Sequence, residues 1–263
     1  MKNVLFPEIE SMENGESIQS PIFYPGSKRK IAKSVYLLLP EKTKVIASPF
    51  LGGGSIELMC ASKGIQVYAS DIFEPLINFW KQAKLCAHDM ADEAEKYYPL
   101  KKERFYSLKK NFSEIKDNFE RAVVFFVLNL CSFRGTSISG GMQPEHPCFN
   151  EKTIDRLRIF KANNLHVELL HYKDALRKHK HKITYLDPPY DTDSHVYGFD
   201  GVRNDEFDHD ELYLKLKDRK RWILSYNDSD EVCYLYDSFK IHYLSQHHGM
   251  SNNKFRDILI INL

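Results

Sequence analysis

Residues 44–71 read KVIASPFLGGGSIELMCASKGIQVYASD. KVIAS (Lys44–Ser48) is a short apolar run of strand type, and IQVYAS (Ile65–Ser70) alternates as a second strand. Between them the glycines of LGGGS lead into a helical stretch, Ser55–Lys63, and Asp71 closes the second strand. Glycines at a strand-to-helix turn let a ligand approach the backbone and present the helix N-terminal N–H groups to it. An acid about 20 residues beyond such a loop is the usual partner of ribose hydroxyls. Strand, glycine loop, helix, strand and acid together predict an α/β fold and one half of a nucleotide-binding sheet.

The glycines alone also fit a plain tight turn. With Asp71 they suggest an adenosine-containing cofactor, without choosing between NAD and S-adenosylmethionine. The spacing G-x-G-x-x-G is absent, which counts against a dinucleotide.

Upstream, residues 1–19 are polar and weakly patterned and read as an extension, and Ile31–Leu39 reads as a helix ended by Pro40. Downstream, a helix is expected from about Glu74. Residues 80–135 look largely helical, with a strongly apolar run over Glu120–Leu130. Arg134–Asn150, RGTSISGGMQPEHPCFN, reads as a loop, followed by a short helix over Asp155–Lys161. The α/β pattern then resumes, with strands at His166–Leu170, Ile183–Leu186, Trp222–Tyr226, Ile241–Leu244 and Asp257–Asn262 and a helix at Glu211–Leu216. A mostly helical insertion, residues 80–165, is expected to interrupt a catalytic unit made of 20–79 and 166–263.

The 263 residues are 43% hydrophobic, 13% aromatic and 28% charged, which excludes disordered, collagen-like and coiled-coil chains. A net charge of +1 announces no global polyanion partner, so any basic face must be local. Cys60, Cys86, Cys131, Cys148 and Cys233 form no CxxC pair and read as thiols of a reducing compartment. No apolar run reaches the ~18 residues of a membrane span, and MKNVLFPEIE lacks a secretory h-region. A cytoplasmic protein without membrane contact is expected.

The second decisive stretch is Asp187-Pro188-Pro189-Tyr190, after the apolar strand ITYL. An acid at the carboxyl end of a strand lies where open α/β sheets bind ligands. Two prolines stiffen the loop and remove two N–H donors, leaving a carboxylate and a proline carbonyl as acceptors. Tyr190 adds a flat ring. The set matches a planar amine that donates two hydrogen bonds while its ring is stacked, as in adenine or cytosine. Accepting both N–H bonds pulls that amine toward tetrahedral geometry and stabilises the charge that develops during its attack.

DPPY with an upstream glycine loop and an acid after the next strand resembles amino-methyltransferases that use S-adenosylmethionine. The order YPGSK (Tyr24–Lys28), PFLGGGS (Pro49–Ser55), SD at Asp71, a long insertion and DPPY is similar to the Dam-type, D12-class DNA adenine-N6 methyltransferases. NLCSFRGT (Asn129–Thr136), SYNDS (Ser225–Ser229) and the C-terminal SNNKFRDILIINL also look like family segments, so the resemblance covers about Ser20 to Leu263. It implies a Rossmann-like methyltransferase sheet with a helical target-recognition insertion, double-stranded DNA as substrate, and S-adenosylmethionine without a metal. It implies that Tyr24 and Lys28 touch the cofactor, with Lys28 near its carboxylate or the catalytic loop. Phe50, Gly52 and Gly54 would line its methionine and ribose side, Asp71 would bind the ribose hydroxyls, and Asp174 in HYKDA would lie against its adenine. Asp187 and the Pro188 carbonyl would grip the target amine, with Pro189 stiffening the loop and Tyr190 stacking on a flipped base. Ser48 departs from the pattern, since many relatives carry an acid directly before PF.

Candidate DNA contacts are Lys101, Lys102, Arg104, Lys109 and Lys110 in the insertion, Arg134 beside the loop, and Asn252, Asn253, Lys254 and Arg256 near the end. KKERF and LKKNF also fit a solvated helix face. His247 and His248 lack a third ligand and read as surface residues. A monomer or weak dimer is expected. Alternatives to adenine methylation are transfer to cytosine N4 or another amide or amine, and a catalytically silent DNA- or cofactor-binding module. A nicotinamide oxidoreductase leaves DPPY without a role.

Overall fold

The computed structural model describes residues 17–143, 148–190, 207–244 and 257–263. Its strands are β1 (Val45–Ser48), β2 (Gln66–Asp71), β3 (Leu165–Leu169), β4 (Ile183–Leu186), β5 (Trp222–Asn227), β6 (Lys240–Tyr243) and β7 (Asp257–Asn262). They form one sheet in the order β3-β2-β1-β4-β5-β7-β6. β3, β2, β1, β4 and β5 pair in parallel, and β7 lies antiparallel to both β5 and β6. This is the α/β sheet that the sequence predicts. Parallel strands require crossover helices, and covering both faces makes the central strands continuously apolar. In WILSYN of β5 every residue is buried.

The helices are α1 (Ala32–Leu38), α2 (Ser55–Ser62), α3 (Glu74–Glu95), α4 (Lys102–Lys110), α5 (Asn118–Cys131), α6 (Glu151–Arg158), α7 (Tyr172–Lys178), α8 (His209–Leu216) and α9 (Asp230–Leu235). α6 begins four residues before the expected Asp155, because Asn150 and Thr153 cap its first turn reciprocally. α7 and α9 were not legible as periodic stretches. Each is short and starts at a side-chain cap, His171 accepting from Lys173 N–H and Ser229 from Val232 N–H.

The expected boundary between residues 79 and 80 falls inside α3. Phe79 and Trp80 are both fully buried there, and one continuous core joins Ile46 and Val67 of the sheet to Phe125 and Leu128 of α5 and Leu157 of α6. α5 explains the merger. It is buried at every position from Ala122 to Cys131, and a helix apolar on all sides must be covered on all sides. The helical region therefore shares the sheet's core.

One polar residue interrupts that run. Asn129 Nδ2 donates to the carbonyls of Phe23 (2.7 Å) and Gly135 (2.9 Å), with Ser137 Oγ also 2.9 Å away, and its Oδ1 accepts from Phe23 N–H at 3.0 Å. The chain after α5 turns sharply through Arg134 and Gly135, both at positive φ. A Cβ at Gly135 would stand 2.5 Å from the Phe23 carbonyl oxygen. The start of the stretch expected as a loop, Arg134–Ser137, is thus an ordered turn held against the opening segment.

Among the described residues no helix is long and apolar enough to cross a membrane. All five cysteines are free thiols, Cys60 and Cys131 buried. Asn252, Asn253, Lys254, Arg256, His247, His248 and residues 1–16 of the extension lie outside the described residues.

The clash at Gly135 generates a prediction. Gly135→Ala combines an unfavourable φ with a backbone collision, so it should destabilise by about 2–3 kcal/mol, seen as a lower Tm in thermal unfolding.

Candidate active site

The order of the sheet reverses between β1 and β4, and ligands bind outside the carboxyl ends of strands at such a point. A cavity of about 610 Å³ opens there. Its wall joins the YPGSK segment, the glycine loop after β1, the end of β2, the 135–139 turn and the DPPY loop after β4. Motifs spread over most of the sequence therefore meet in one space.

The glycine loop is pinned from two sides. Gly52 N–H donates to Asp71 Oδ2 at 3.1 Å, and the Gly52 carbonyl accepts from Trp80 Nε1 at 3.1 Å. Gly52 has φ +47°, and a Cβ there would press on the Tyr24 ring at 3.1 Å. Asp71 also accepts from Phe73 N–H at 3.0 Å. Burial raises the Asp71 carboxyl above its ordinary pKa, and those N–H groups pull it partly back.

The DPPY loop holds a charged cluster. Lys28 Nζ lies 3.0 Å from Asp187 Oδ1, and Tyr190 Oη donates to the same oxygen at 3.1 Å. Tyr190 Oη is also 3.1 Å from Ser225 Oγ. The Tyr190 ring stacks on Tyr226 at 5.6 Å, and the Lys28 ammonium sits 4.6 Å from its centroid. Burial pushes the Asp187 carboxyl up, while the Lys28 ammonium and the Tyr190 hydroxyl draw it down; the net direction is upward. Lys28 itself is buried and donates to the Gly26 carbonyl at 2.7 Å.

Ser48, where the resemblance led to the expectation of an acid, has an acid beside it all the same. Ser48 Oγ donates to Glu57 Oε1, a buried carboxyl from the first turn of α2 that lines the cavity. Burial raises Glu57 to a pKa of about 7, against the Ser48 hydroxyl, which lowers it.

Of the residues expected from sequence, Tyr24, Lys28, Phe50, Gly52, Gly54, Asp71, Asp187, Pro188, Pro189 and Tyr190 all line this cavity. Asp174 does not. It is half-buried in the first turn of α7 and paired with Arg177, and the cavity is reached instead by His171 and Tyr172, just before it. Tyr172 stacks on Phe50 at 5.4 Å, and Phe207 meets Phe50 edge-on at 5.7 Å. Tyr190 does not offer a bare ring, since Tyr226 and Lys28 lie against it.

Lys101 and Lys102 are exposed at the start of α4. Arg134 is exposed at φ +53° beside the exposed Phe133. Arg104 lies over the Tyr97 ring at 4.3 Å, and Lys109 donates to the Gly140 carbonyl at 2.7 Å, so both have structural work. Among the described residues no group of three or more His, Cys, Asp or Glu could hold a metal ion.

Sequence reasoning missed Glu57, Tyr185 and Asp257. A lone acid in the apolar helix SIELMCAS was the available sign for Glu57. Asp257, whose carboxyl burial also raises and the Lys28 charge lowers, offered none, because only the sheet register carries it to the site.

Comparison with known proteins agrees with this geometry. The model of the D12 class N6 adenine-specific DNA methyltransferases matches residues 24–250. The retron Ec67 DNA adenine methylase of Escherichia coli is 26% identical over 237 residues, covering 84% of this chain and 81% of that protein. The DNA adenine methylase of Salmonella typhi is 24% identical over 195 residues, covering 70% and 69% respectively.

The buried Glu57 sets a pH dependence. The folded state keeps a proton on Glu57 that the unfolded chain releases above its ordinary value of 4.5, so stability falls as pH rises from about 4.5 through about 7. The slope from this group is at most about 1.4 kcal/mol per pH unit. Urea unfolding at pH 5 and pH 7.5 should show a smaller loss in Glu57→Gln than in the wild type.

Proposed function

The chain belongs to the D12 class of N6 adenine-specific DNA methyltransferases, and from that premise we propose that Asp187, Pro188, Pro189 and Tyr190 receive the adenine amine and that the glycine loop and Asp71 hold the methyl donor. Membership makes it a transferase that methylates adenine N6 in DNA at a specific site, and it implies S-adenosylmethionine as donor. The meeting of the Lys28–Asp187–Tyr190 cluster and the pinned glycine loop in one cavity carries the residue assignment.

The residues suit that donor. The cavity is of the size that takes a nucleoside-based ligand. Asp71, at the end of β2, stands where ribose hydroxyls need an acceptor, and Tyr24 and Phe50 supply flat walls. When bound, the donor supplies a methyl group on a sulfonium, already activated for transfer.

The protein's task is then to place a weak nucleophile. The Asp187 carboxylate and the Pro188 carbonyl accept the two N6 hydrogens, which frees the nitrogen lone pair to point at the methyl carbon. Such in-line placement can supply roughly 7–11 kcal/mol of the barrier. Asp187 reaches this task with one oxygen already taken by Lys28 and the Tyr190 hydroxyl. The Lys28 ammonium opposes the upward push of burial on Asp187 and so favours the carboxylate, the form that accepts. N6 is unreachable inside a duplex, so the base is flipped into the cavity at a cost of a few kcal/mol. Arg134, Lys101 and Lys102, with Asn253, Lys254 and Arg256, are proposed to hold the duplex outside, where phosphate contacts position and base-edge contacts specify. We assign the chain to the cell interior, where its DNA substrate lies, acting as a monomer or weak dimer.

Labelled methyl transfer to adenine-unmethylated DNA tests the reading. Asp187→Ala should lower kcat on the order of 10²–10³-fold with label on adenine N6 in the wild type; full activity in the variant, or label on cytosine N4, would sink the assignment. Lys28→Met removes the charge that holds Asp187 down. The acidic limb of the kcat profile should move to higher pH in that variant, and an unmoved limb would separate Lys28 from Asp187.

A further inference from the structure

We infer that Glu57, with the Tyr185 hydroxyl beside it, receives the cationic α-amino group of the methyl donor, an inference that rests on the cavity being the donor site. Among the described residues three carboxyls line the cavity: Glu57, Asp71 and Asp187. Asp187 has Lys28 as its cation, and Asp71 accepts from the N–H groups of Gly52 and Phe73 and is assigned to the ribose hydroxyls. Among the described residues Glu57 has only neutral partners: the Ser48 hydroxyl and the N–H groups of its own helix turn at Ile56 and Glu57. A buried carboxyl without a cation is an expensive thing to keep beside a cavity. It becomes useful when the ligand brings the cation.

Tyr185 points to the same place. Its side chain is buried, it lines the cavity, and its hydroxyl makes no hydrogen bond among the described residues. It lies toward Ser225, whose hydroxyl is engaged by Tyr190. Burial and the nearby Asp187 and Glu57 charges hold the phenol well above its ordinary pKa, so it remains a neutral hydroxyl with a lone pair to offer. An ammonium with three N–H donors satisfies both the Glu57 carboxylate and the Tyr185 oxygen.

Among the described residues the groups facing Glu57 are Tyr185 from β4, Asp187 just after that strand, Ser48 from β1 and Cys60 one turn along α2, with Lys28 beyond Asp187. None of those in contact is a cation. Without ligand, burial and the Asp187 charge favour the protonated acid. A bound ammonium favours the carboxylate, so binding near neutral pH expels a proton from Glu57.

The test is calorimetric titration with two probes, S-adenosylhomocysteine and 5′-methylthioadenosine, which lacks the amino-acid end. Glu57→Gln should weaken S-adenosylhomocysteine roughly ten- to a hundredfold, the range for a lost charge-assisted hydrogen bond. It should leave 5′-methylthioadenosine unchanged, which also reports that the variant is folded. Tyr185→Phe should weaken only the first probe, by severalfold. Near pH 7, buffers of unequal ionisation heat should reveal proton release in the wild type and none in Glu57→Gln. Equal affinity for S-adenosylhomocysteine in both proteins overturns the inference. So does equal loss of both probes, which would mark a structural role. Failure of the wild type to bind either probe would instead overturn the donor site itself.

Discussion

A single buried amide holds the working parts together. Asn129 sits on the most deeply buried helix, where an unpaired polar group would be costly, and it spends its hydrogen bonds on the backbone of Phe23 and of the turn at Gly135. Phe23 precedes Tyr24 and Lys28. Tyr24 packs on the glycine loop, and Lys28 reaches the DPPY carboxylate. The amide thus fixes, at one point, a segment that would otherwise be a free arm, and through it both halves of the site. NLCSFRGT looked like a family segment in the sequence. Its physical content is this clamp, a buried Asn followed by a glycine that lets two backbones touch.

The site's electrostatics follow from scarcity of positive charge. Asp187, Asp71, Glu57 and Asp257 are all held above the ordinary carboxylate range by burial, and Lys28 is the cation that bears on Asp187 and Asp257. Such a cavity is costly empty and suited to a cationic ligand. The exchange at Ser48 fits that logic. Moving the acid from the strand to the first turn of α2 keeps a carboxyl beside the loop while the serine hydroxyl satisfies one of its oxygens.

The part of the site written in local sequence was readable. LGGGS and DPPY carry their meaning in consecutive residues, because a strand-to-helix turn and a stiffened acceptor loop are local backbone facts. Asp174 shows the limit. Its segment does approach the cavity, but through His171 and Tyr172, because α7 starts at Tyr172 and turns Asp174 toward Arg177. The helical insertion was readable as helix and not as a unit, since burial on every side of α5 is a property of what packs around it.

The sequence by itself determined the alternation of strands and helices, the glycine loop, the acid after the second strand and the amine-gripping tetrapeptide. Each follows from backbone geometry or side-chain period within a few residues. The tertiary structure alone decided that Lys28 pairs with Asp187, that Tyr190 turns its hydroxyl inward, that Asp257 joins the cluster across the β5–β7 register, and that Glu57 stands beside Ser48. Ion pairing and the burial that shifts a carboxyl act through space. Lys28 and Asp257 come from segments that only the assembled sheet brings to Asp187, so no reading along the chain could assign them.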